Sequence, residues 1–459
     1  MARSVRFASR LACAGVAALG LGGSAVSVGA AEPTNIVLIV IDMLRADRLG
    51  AYGYPAPSSP ELDGFAQAGV RFGRVVAQST WTRPSIASLL TSLHPRTLGL
   101  RMEEEHALDP RRQTLAEVLK SHGYWTAGAT ANPNTNSAFQ FDQGFDHYID
   151  SDVLFPGMPG QLEQKASGKK QTLARARGLL LEMLDYARKQ PHGPGFLQVV
   201  LMDVHQYEKI PDSTGDSDAA LADAESSAAG LRYSKAVRYV SAEIGLFVRS
   251  LTRLRGWEHT LVIVTSDHGE TLGRDHASLA DPKWHGFLVY ETQALVPWIM
   301  YSSDGRLPAG RVIERPVRLL DLMPTVLDYA GIPAPKGIAG SSLMGLLRDE
   351  PTPVELPERF VVETRFRGRD KTAVYGDEWI YVENRDEHPG TSPRELQRVG
   401  VPADGTRTDN AQAHEVVLLE LTAYLSDWRK RYPRADPTLI GTEVSERARE
   451  QLRALGYID

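Results

Sequence analysis

Four stretches of this 459-residue chain carry residue types that can do chemistry together. Thr82 stands at the start of an apolar-periodic segment (Ile86, Leu89, Leu90, Leu93), and Pro84, which lacks an N–H, suits the first turn of a helix there. A hydroxyl at a helix N-terminus faces backbone N–H groups and the positive end of the helix dipole, a setting that receives an anion. An ordinary N-cap threonine gives the same pattern. Three apolar, β-branched runs decide between the two readings. Asn35–Ile41 leads into Asp42, Arg45, Asp47 and Arg48; residues 196–202 lead into Asp203-Val-His205; Thr260–Thr265 leads into Ser266-Asp267-His268-Gly269-Glu270.

Runs of this kind predict strands buried on both faces of a parallel sheet. Ligands of such sheets bind beyond the carboxyl ends of the strands, so residues far apart in sequence converge there. A single strand-terminal Asp reads equally well as the cap of a following turn. Three of them, with a threonine at a helix start, predict one site. Asp42, Asp267 and His268 supply two carboxylates and an imidazole, a set that can hold a divalent cation, with the Thr82 oxygen as a further ligand. Such an ion lowers the pKa of the hydroxyl and neutralises an anionic ester. The oxygen ligands favour a hard ion such as calcium, whereas His268 moves the choice toward manganese or zinc.

The elements that must position these residues follow from periodicity. Residues 114–121 predict a short helix, residues 124–129 a strand running into Asn132-Pro-Asn134-Thr-Asn136, whose amides could line the pocket mouth. Residues 169–189 and 231–254 predict amphipathic helices outside the sheet, and the small, acidic stretch 211–230 a mobile loop beside the pocket. His276, Lys283 and His285 follow, then a strand over 296–301 and a structural helix over 320–330. Residues 359–363, 371–375 and 379–383 predict short strands, the latter two joined across Gly376-Asp377, and residues 414–429 an amphipathic helix.

The first 31 residues predict a secretory signal: Arg3, Arg6 and Arg10, an apolar core too short to span a membrane, and small residues around Val28, Ala30 and Ala31. The expectation is an exported protein, periplasmic or secreted, with no transmembrane segment in the mature chain. Cys13, the single cysteine, lies in that signal, which excludes disulfides and thiolate chemistry after it. A net charge of −6 with 24% charged residues argues against nucleic-acid binding through a basic face.

Taken in order and spacing, these pieces resemble the sulfatase family of the alkaline phosphatase superfamily over nearly all the mature length. The matching stretches are Asn35–Ile41 with Asp42, Leu49-Gly-Ala-Tyr-Gly-Tyr, Pro84-Ser85 with Leu89-Leu90-Thr91, residues 114–120 with Gly123-Tyr124, Gln143-Gly-Phe-Asp, Asp203-Val-His205, Ser266-Asp-His-Gly-Glu270, His285-Gly286 with Tyr290-Glu291 and Val296-Pro297, Asp321-Leu-Met-Pro-Thr325 and Leu455-Gly-Tyr457. The resemblance implies an α/β fold: an alkaline-phosphatase-like large domain over 32–345, its mostly parallel central sheet flanked by helices, and a small α+β domain over 346–459 with an antiparallel sheet. It implies Asp42, Asp267 and His268 as metal ligands and Thr82 at the nucleophile position. His205 and His285 match residues that contact the transferred group or protonate the leaving group, and Arg83 would add positive charge beside it.

The chain also departs from the family pattern. Sulfatases of this family carry Cys or Ser at the nucleophile position, oxidised to formylglycine, within Cys/Ser-x-Pro-x-Arg. Here the residues are Thr82 and Ile86, and threonine oxidation would give a ketone, so formylglycine is excluded. Met43 replaces the second of two paired acids. Superfamily relatives with an unmodified threonine are phosphodiesterases, nucleotide pyrophosphatases and phospho-group transferases. The expectation is therefore a metal-dependent hydrolase of anionic esters, phosphate or phosphonate (di)esters ahead of sulfate esters, acting on a small-molecule, glycan or lipid substrate. Alternatives are an ordinary sulfatase, a two-metal enzyme with a second ion at Asp203, His205 and His285, and a non-catalytic member that binds anionic glycans or lipids, which Met43 and Ile86 would permit. Residues 132–143, 206–230 and 274–284 are expected to set specificity.

Overall fold

A computed structural model describes residues 34–100, 106–150, 162–166, 169–173, 175–190, 193–209, 216–272, 285–350, 356–385, 392–400, 409–439, 444–454 and 457. The expected signal over 1–31 and the whole of the 274–284 loop, His276 and Lys283 included, lie outside them. The centre is an eight-stranded sheet in the order Arg311–Ile313, Val70–Phe72, Trp298–Ser302, Thr260–Thr265, Asn35–Ile41, Gly195–Leu201, Trp125–Thr130, His147–Ile149. Trp298–Ser302 runs antiparallel to both neighbours; every other pairing is parallel.

The continuous apolar runs form these strands because both faces of the sheet are covered. Along Asn35–Ile41, Ile36, Leu38 and Val40 enter one apolar layer and Val37, Ile39 and Ile41 the other. Each such side chain, fully buried, contributes about 1.5–3 kcal/mol. The first layer is closed by helices Thr82–Thr91, Leu115–Ser121 and Leu322–Tyr329, the second by Pro60–Ala68, Ala176–Lys189 and Ala228–Leu251. Register aligns the strand ends: Val40 pairs with Thr265 and Ile41 with Leu201, so Asp42, Ser266 and Met202 leave the sheet at one edge.

A second, four-stranded antiparallel sheet is built from Phe360–Phe366, Arg369–Tyr375, Trp379–Asn384 and Arg394–Arg398. Helix Glu415–Arg431 covers one face with Leu421, Leu425 and Trp428, while Phe360, Val362 and Tyr375 on the other face meet Val76, Leu288 and Tyr290. Its first hairpin turns at Arg367 and Gly368, both at positive φ (46° and 75°), which suits the twist of a two-residue hairpin.

Three local expectations are corrected. Residues 169–173 are a strand paired with Leu162–Ala166, and the helix starts at Ala176, where the repeat Leu179, Leu180, Met183, Leu184, Ala187 begins. The second long helix is Ala228–Leu251, started by Ser227, whose Oγ accepts the Gly230 N–H at 3.0 Å. The stretch expected as a loop holds helix Asp216–Ala224, whose alanines favour the helix and whose Leu221 is buried. No helix among the described residues is long and apolar enough to cross a membrane.

Candidate active site

Asp42, the first residue beyond the central strand, is fully buried. Its Oδ2 accepts the Asn132 amide at 2.6 Å, and its Oδ1 has no hydrogen-bond partner among the described residues. Burial, with the Asp267 charge beside it, pushes the Asp42 carboxyl well above the usual range. Asp267 Oδ1 accepts the backbone N–H groups of His268 at 2.9 Å and Met43 at 3.3 Å, while Oδ2 has no hydrogen-bond partner among the described residues. His268 lies 2.9 Å through Nδ1 from the Gly269 carbonyl, so that nitrogen carries the proton and the Nε2 lone pair is free. That lone pair faces Asp42 Oδ1 at 3.5 Å and Asp267 Oδ2 at 3.4 Å.

Three acceptor atoms pointing at one another in a dry interior repel unless a cation stands among them. These three residues offer ligand atoms within 4.8 Å of one another, the one such group of His, Cys, Asp and Glu among the described residues. The orphaned carboxylate oxygens thus fit a divalent ion. Burial holds the His268 imidazole below its usual pKa, which suits a neutral ligand. The tight loop depends on Gly269: a Cβ there would stand 2.0 Å from the Thr292 carbonyl oxygen.

Thr82 opens helix Thr82–Thr91, as its sequence position predicted. Its Oγ1 lies 3.4 Å from His268 Nε2 and accepts the Asn132 amide at 3.3 Å. Ser85, one turn along, donates its hydroxyl to the Asp267 carbonyl at 2.6 Å and ties the helix start to the Asp-His loop. Thr82, Asp42, Asp267 and His268 are thereby brought together. His205 and His285 stand beside them with ring centres 5.0 Å apart, and His285 stacks on His268 at 4.8 Å. Burial, reinforced by the neighbouring His285 and His268, pulls the His205 imidazole well below its usual range. His285 Nδ1 lies 3.7 Å from the Glu270 carboxylate.

Other expectations change with the geometry. Arg83 is one residue on from Thr82, and a helix turns about 100° per residue. Its guanidinium lies 3.7 Å over the Phe139 ring and donates to the His106 carbonyl and Asn134 Oδ1, both at 3.2 Å, so what is seen is a brace for the helix start. Asp203 accepts the Ala176 N–H at 2.8 Å, capping a helix, and is not drawn into a group with His205 and His285. Met43 sits at φ 64° and places its N–H, in place of a second carboxylate, toward Asp267. Ile86 is buried in the apolar cluster that includes Phe366 and Tyr457. Asn132 was legible only as a pocket-mouth amide, and Tyr457 only as part of a resembling stretch. Their roles come from contacts spanning 50 and 375 residues of sequence.

A buried acid-acid-imidazole cluster that could hold a metal ion stands next to a helix-terminal hydroxyl, at the carboxyl edge of a mostly parallel sheet, the edge where ligands of such sheets bind. The sulfatase family profile matches residues 34–332, and the chain belongs to that family. It is 27% identical over 346 residues to the ulvan-active sulfatase of Formosa agariphila, covering 69% of this chain and 66% of that protein, just under two thirds of its length. Among solved structures, a 2-O GAG sulfatase superposes with TM-score 0.65 at 18% identity over 87% of this chain and 93% of the other. The phosphonate monoester hydrolase of Agrobacterium radiobacter superposes with TM-score 0.66 at 20% identity over 90% and 98%. The same fold therefore carries sulfatases and a phosphonate ester hydrolase.

Proposed function

We propose that this chain hydrolyses anionic esters with Thr82 Oγ as nucleophile, phosphate and phosphonate (di)esters ahead of sulfate esters. The observation that carries the reading is the position of Thr82 Oγ1 3.4 Å from His268 Nε2, beside two carboxylate oxygens that lack hydrogen-bond partners among the described residues. Asp42, Asp267, His268 and the Thr82 oxygen would hold one divalent ion, which when bound lowers the hydroxyl pKa and neutralises charge on the ester. Asn132 orients both Asp42 and Thr82 through one amide. The helix N-terminus directs its N–H groups at the anion.

Thr82 Oγ, deprotonated, attacks phosphorus in line. The ester P–O bond breaks, and His285, with the Glu270 carboxylate behind its Nδ1, gives a proton to the departing alkoxide. His205 contacts the transferred group as a neutral imidazole. The deprotonated His285 then takes a proton from water, the resulting hydroxide attacks phosphorus, and Thr82 is released with a free phosphate or phosphonate. A threonyl sulfate has no geminal hydroxyl to expel it, which is why phosphorus esters are favoured. The substrate is a small-molecule, glycan or lipid ester, met outside the cytoplasm if residues 1–31 act as an export signal. On the same reading the catalytic domain is 32–345 and the smaller domain 346–459.

The test is a hydrolysis panel of aryl sulfate, phosphate monoester, phosphate diester and phosphonate ester with calcium, manganese or zinc. Phosphorus esters should turn over, and Thr82→Ala should lower the rate about a thousandfold or more while leaving the melting temperature within a few degrees. Sulfate as the best substrate would overturn the phosphorus preference. Metal binding with no turnover of any ester would make the chain a binding protein.

A further inference from the structure

Away from the acid-imidazole cluster, three side chains around one cavity hold buried polar atoms that lack hydrogen-bond partners among the described residues. They are Ser79 through Oγ, Arg96 through Nε and Nη1, and Glu363 through both carboxylate oxygens. Glu363 stands on strand Phe360–Phe366, held by its N–H to the Gln78 carbonyl at 3.0 Å. Side chains alternate along a strand, so Glu363 and Arg365 share the face of Val361, which packs under helix Glu415–Arg431. Arg96 reaches the same place with its guanidinium 5.2 Å over the Trp428 ring of that helix. Arg96 Nη1 and Glu363 Oε1 are 3.6 Å apart, beyond the reach of an N–H···O bond, about 2.7–3.2 Å. Arg434 stands 4.0 Å from the same oxygen, and Arg434 and Arg365 meet Asp370 at 3.8 and 3.2 Å. Burial raises the Glu363 pKa although Arg96, Arg434 and Arg429 oppose it.

The cavity measures about 30 Å³. At about 10–15 Å³ for each water-sized group, it seats two hydroxyl groups. A hydroxyl gives one hydrogen bond and takes others, so a pair of them can donate to the two Glu363 oxygens while accepting from Arg96 and Ser79. A carboxylate, sulfate or phosphate in the same place would set its charge against Glu363, and an ammonium would face Arg96. Trp81 and Pro84 form an apolar wall, which suits a carbon skeleton better than a cluster of waters. Arg365 and Arg434, with side chains 37% and 30% exposed, are the lining groups that reach solvent. We propose that this cavity is a binding site for a vicinal diol, the paired hydroxyl groups of a sugar-like polyol. It lies one aromatic layer from the reaction centre: Trp81 precedes Thr82, and its ring is 5.5 Å from Phe366, which is 6.2 Å from His285. The diol belongs either to the alcohol of the ester or to a separate polyol. Binding does not depend on Thr82 as nucleophile; assigning the diol to the ester's alcohol rests on that reading.

The probes are D-galactose, D-glucose and myo-inositol, each titrated into the full chain by calorimetry, with cyclohexanol as the control that has no second hydroxyl. At least one of the three polyols should bind saturably, and cyclohexanol should not. Glu363→Gln and Arg96→Gln should weaken that binding about tenfold or more, because hydrogen bonds to charged groups are the strong ones. Ser79→Ala should weaken it about two- to tenfold. The Ser79 hydroxyl has no hydrogen-bond partner among the described residues, so its removal keeps the test open if the charge variants fold poorly. Absence of binding by every polyol, or binding that all three variants retain, overturns the proposal and leaves the cavity to water. Kinetics then identify the source. A polyol that raises KM for its own phosphate or sulfate ester but not for an aryl ester belongs to the substrate; one that leaves both KM values unchanged is a separate ligand. Failure of the Thr82 reading shows separately, as turnover that survives Thr82→Ala while polyol binding persists.

Discussion

Two buried histidines, His268 and His94, show what separates a candidate reaction centre from packing. Both rings are almost wholly out of water, and burial lowers the pKa of both. His268 binds the Gly269 carbonyl through one nitrogen and aims the other at two carboxylates and a hydroxyl. His94 makes no hydrogen bond through either nitrogen to the described residues; it packs edge-on against Trp428 at 4.9 Å and Tyr432 at 4.5 Å. Burial, with Arg318, Arg96 and Arg431 nearby, pulls its pKa from 6.5 to about 3. Burial alone does not mark function. Convergence of acceptor atoms on one point is what distinguishes the candidate site.

The comparison breaks first at the metal. His268→Ala should remove the bound ion, read by elemental analysis after purification, and lower hydrolysis about a thousandfold or more, whereas an equivalent change at His94 should leave metal content unchanged. Asn132→Ala keeps every proposed ligand but frees Asp42 and Thr82. Loss of a residue that orients ligands costs about 10–100-fold in metal affinity or activity, and a metal titration should find that range.

The smallest effect is at His94. The unfolded chain takes up a proton at His94 below pH 6.5, and the folded chain only near 3. The unfolded state therefore binds more protons between these values, so this contribution to stability is intact above 6.5 and is lost as pH falls toward 3. His94→Phe keeps an aromatic ring against Trp428 and Tyr432, and should change stability at neutral pH by less than about 1.5 kcal/mol. Its melting temperature should fall less steeply on acidification; a parallel decline would show that His94 does not govern that limb.

Much of this was readable because burial leaves a periodic mark. The runs 35–41, 196–202 and 260–265 read as central strands, and they lie side by side within a residue of those limits. Strand Arg394–Arg398 was not read, because its ends are charged and Leu396 is its one large apolar residue; pairing with Trp379–Asn384 makes it a strand. The 169–173 segment failed for the same reason, since pairing with Leu162–Ala166 outweighs its local helical pattern.

The sequence by itself determined which residues could react, because residue type fixes the available ligand atoms and rules out formylglycine at Thr82. It also determined that Asp42, His205 and Asp267 follow strand ends. Only the tertiary structure decided direction. It turned Asp203 to the Ala176 N–H and Arg83 onto Phe139, brought Asn132 under both Asp42 and Thr82, and set the Tyr457 hydroxyl among Thr82, His205 and His285. The physical reason is that a strand or helix pattern reports which face is buried. Where a polar side chain points at the end of an element depends on partners that arrive from elsewhere in the chain.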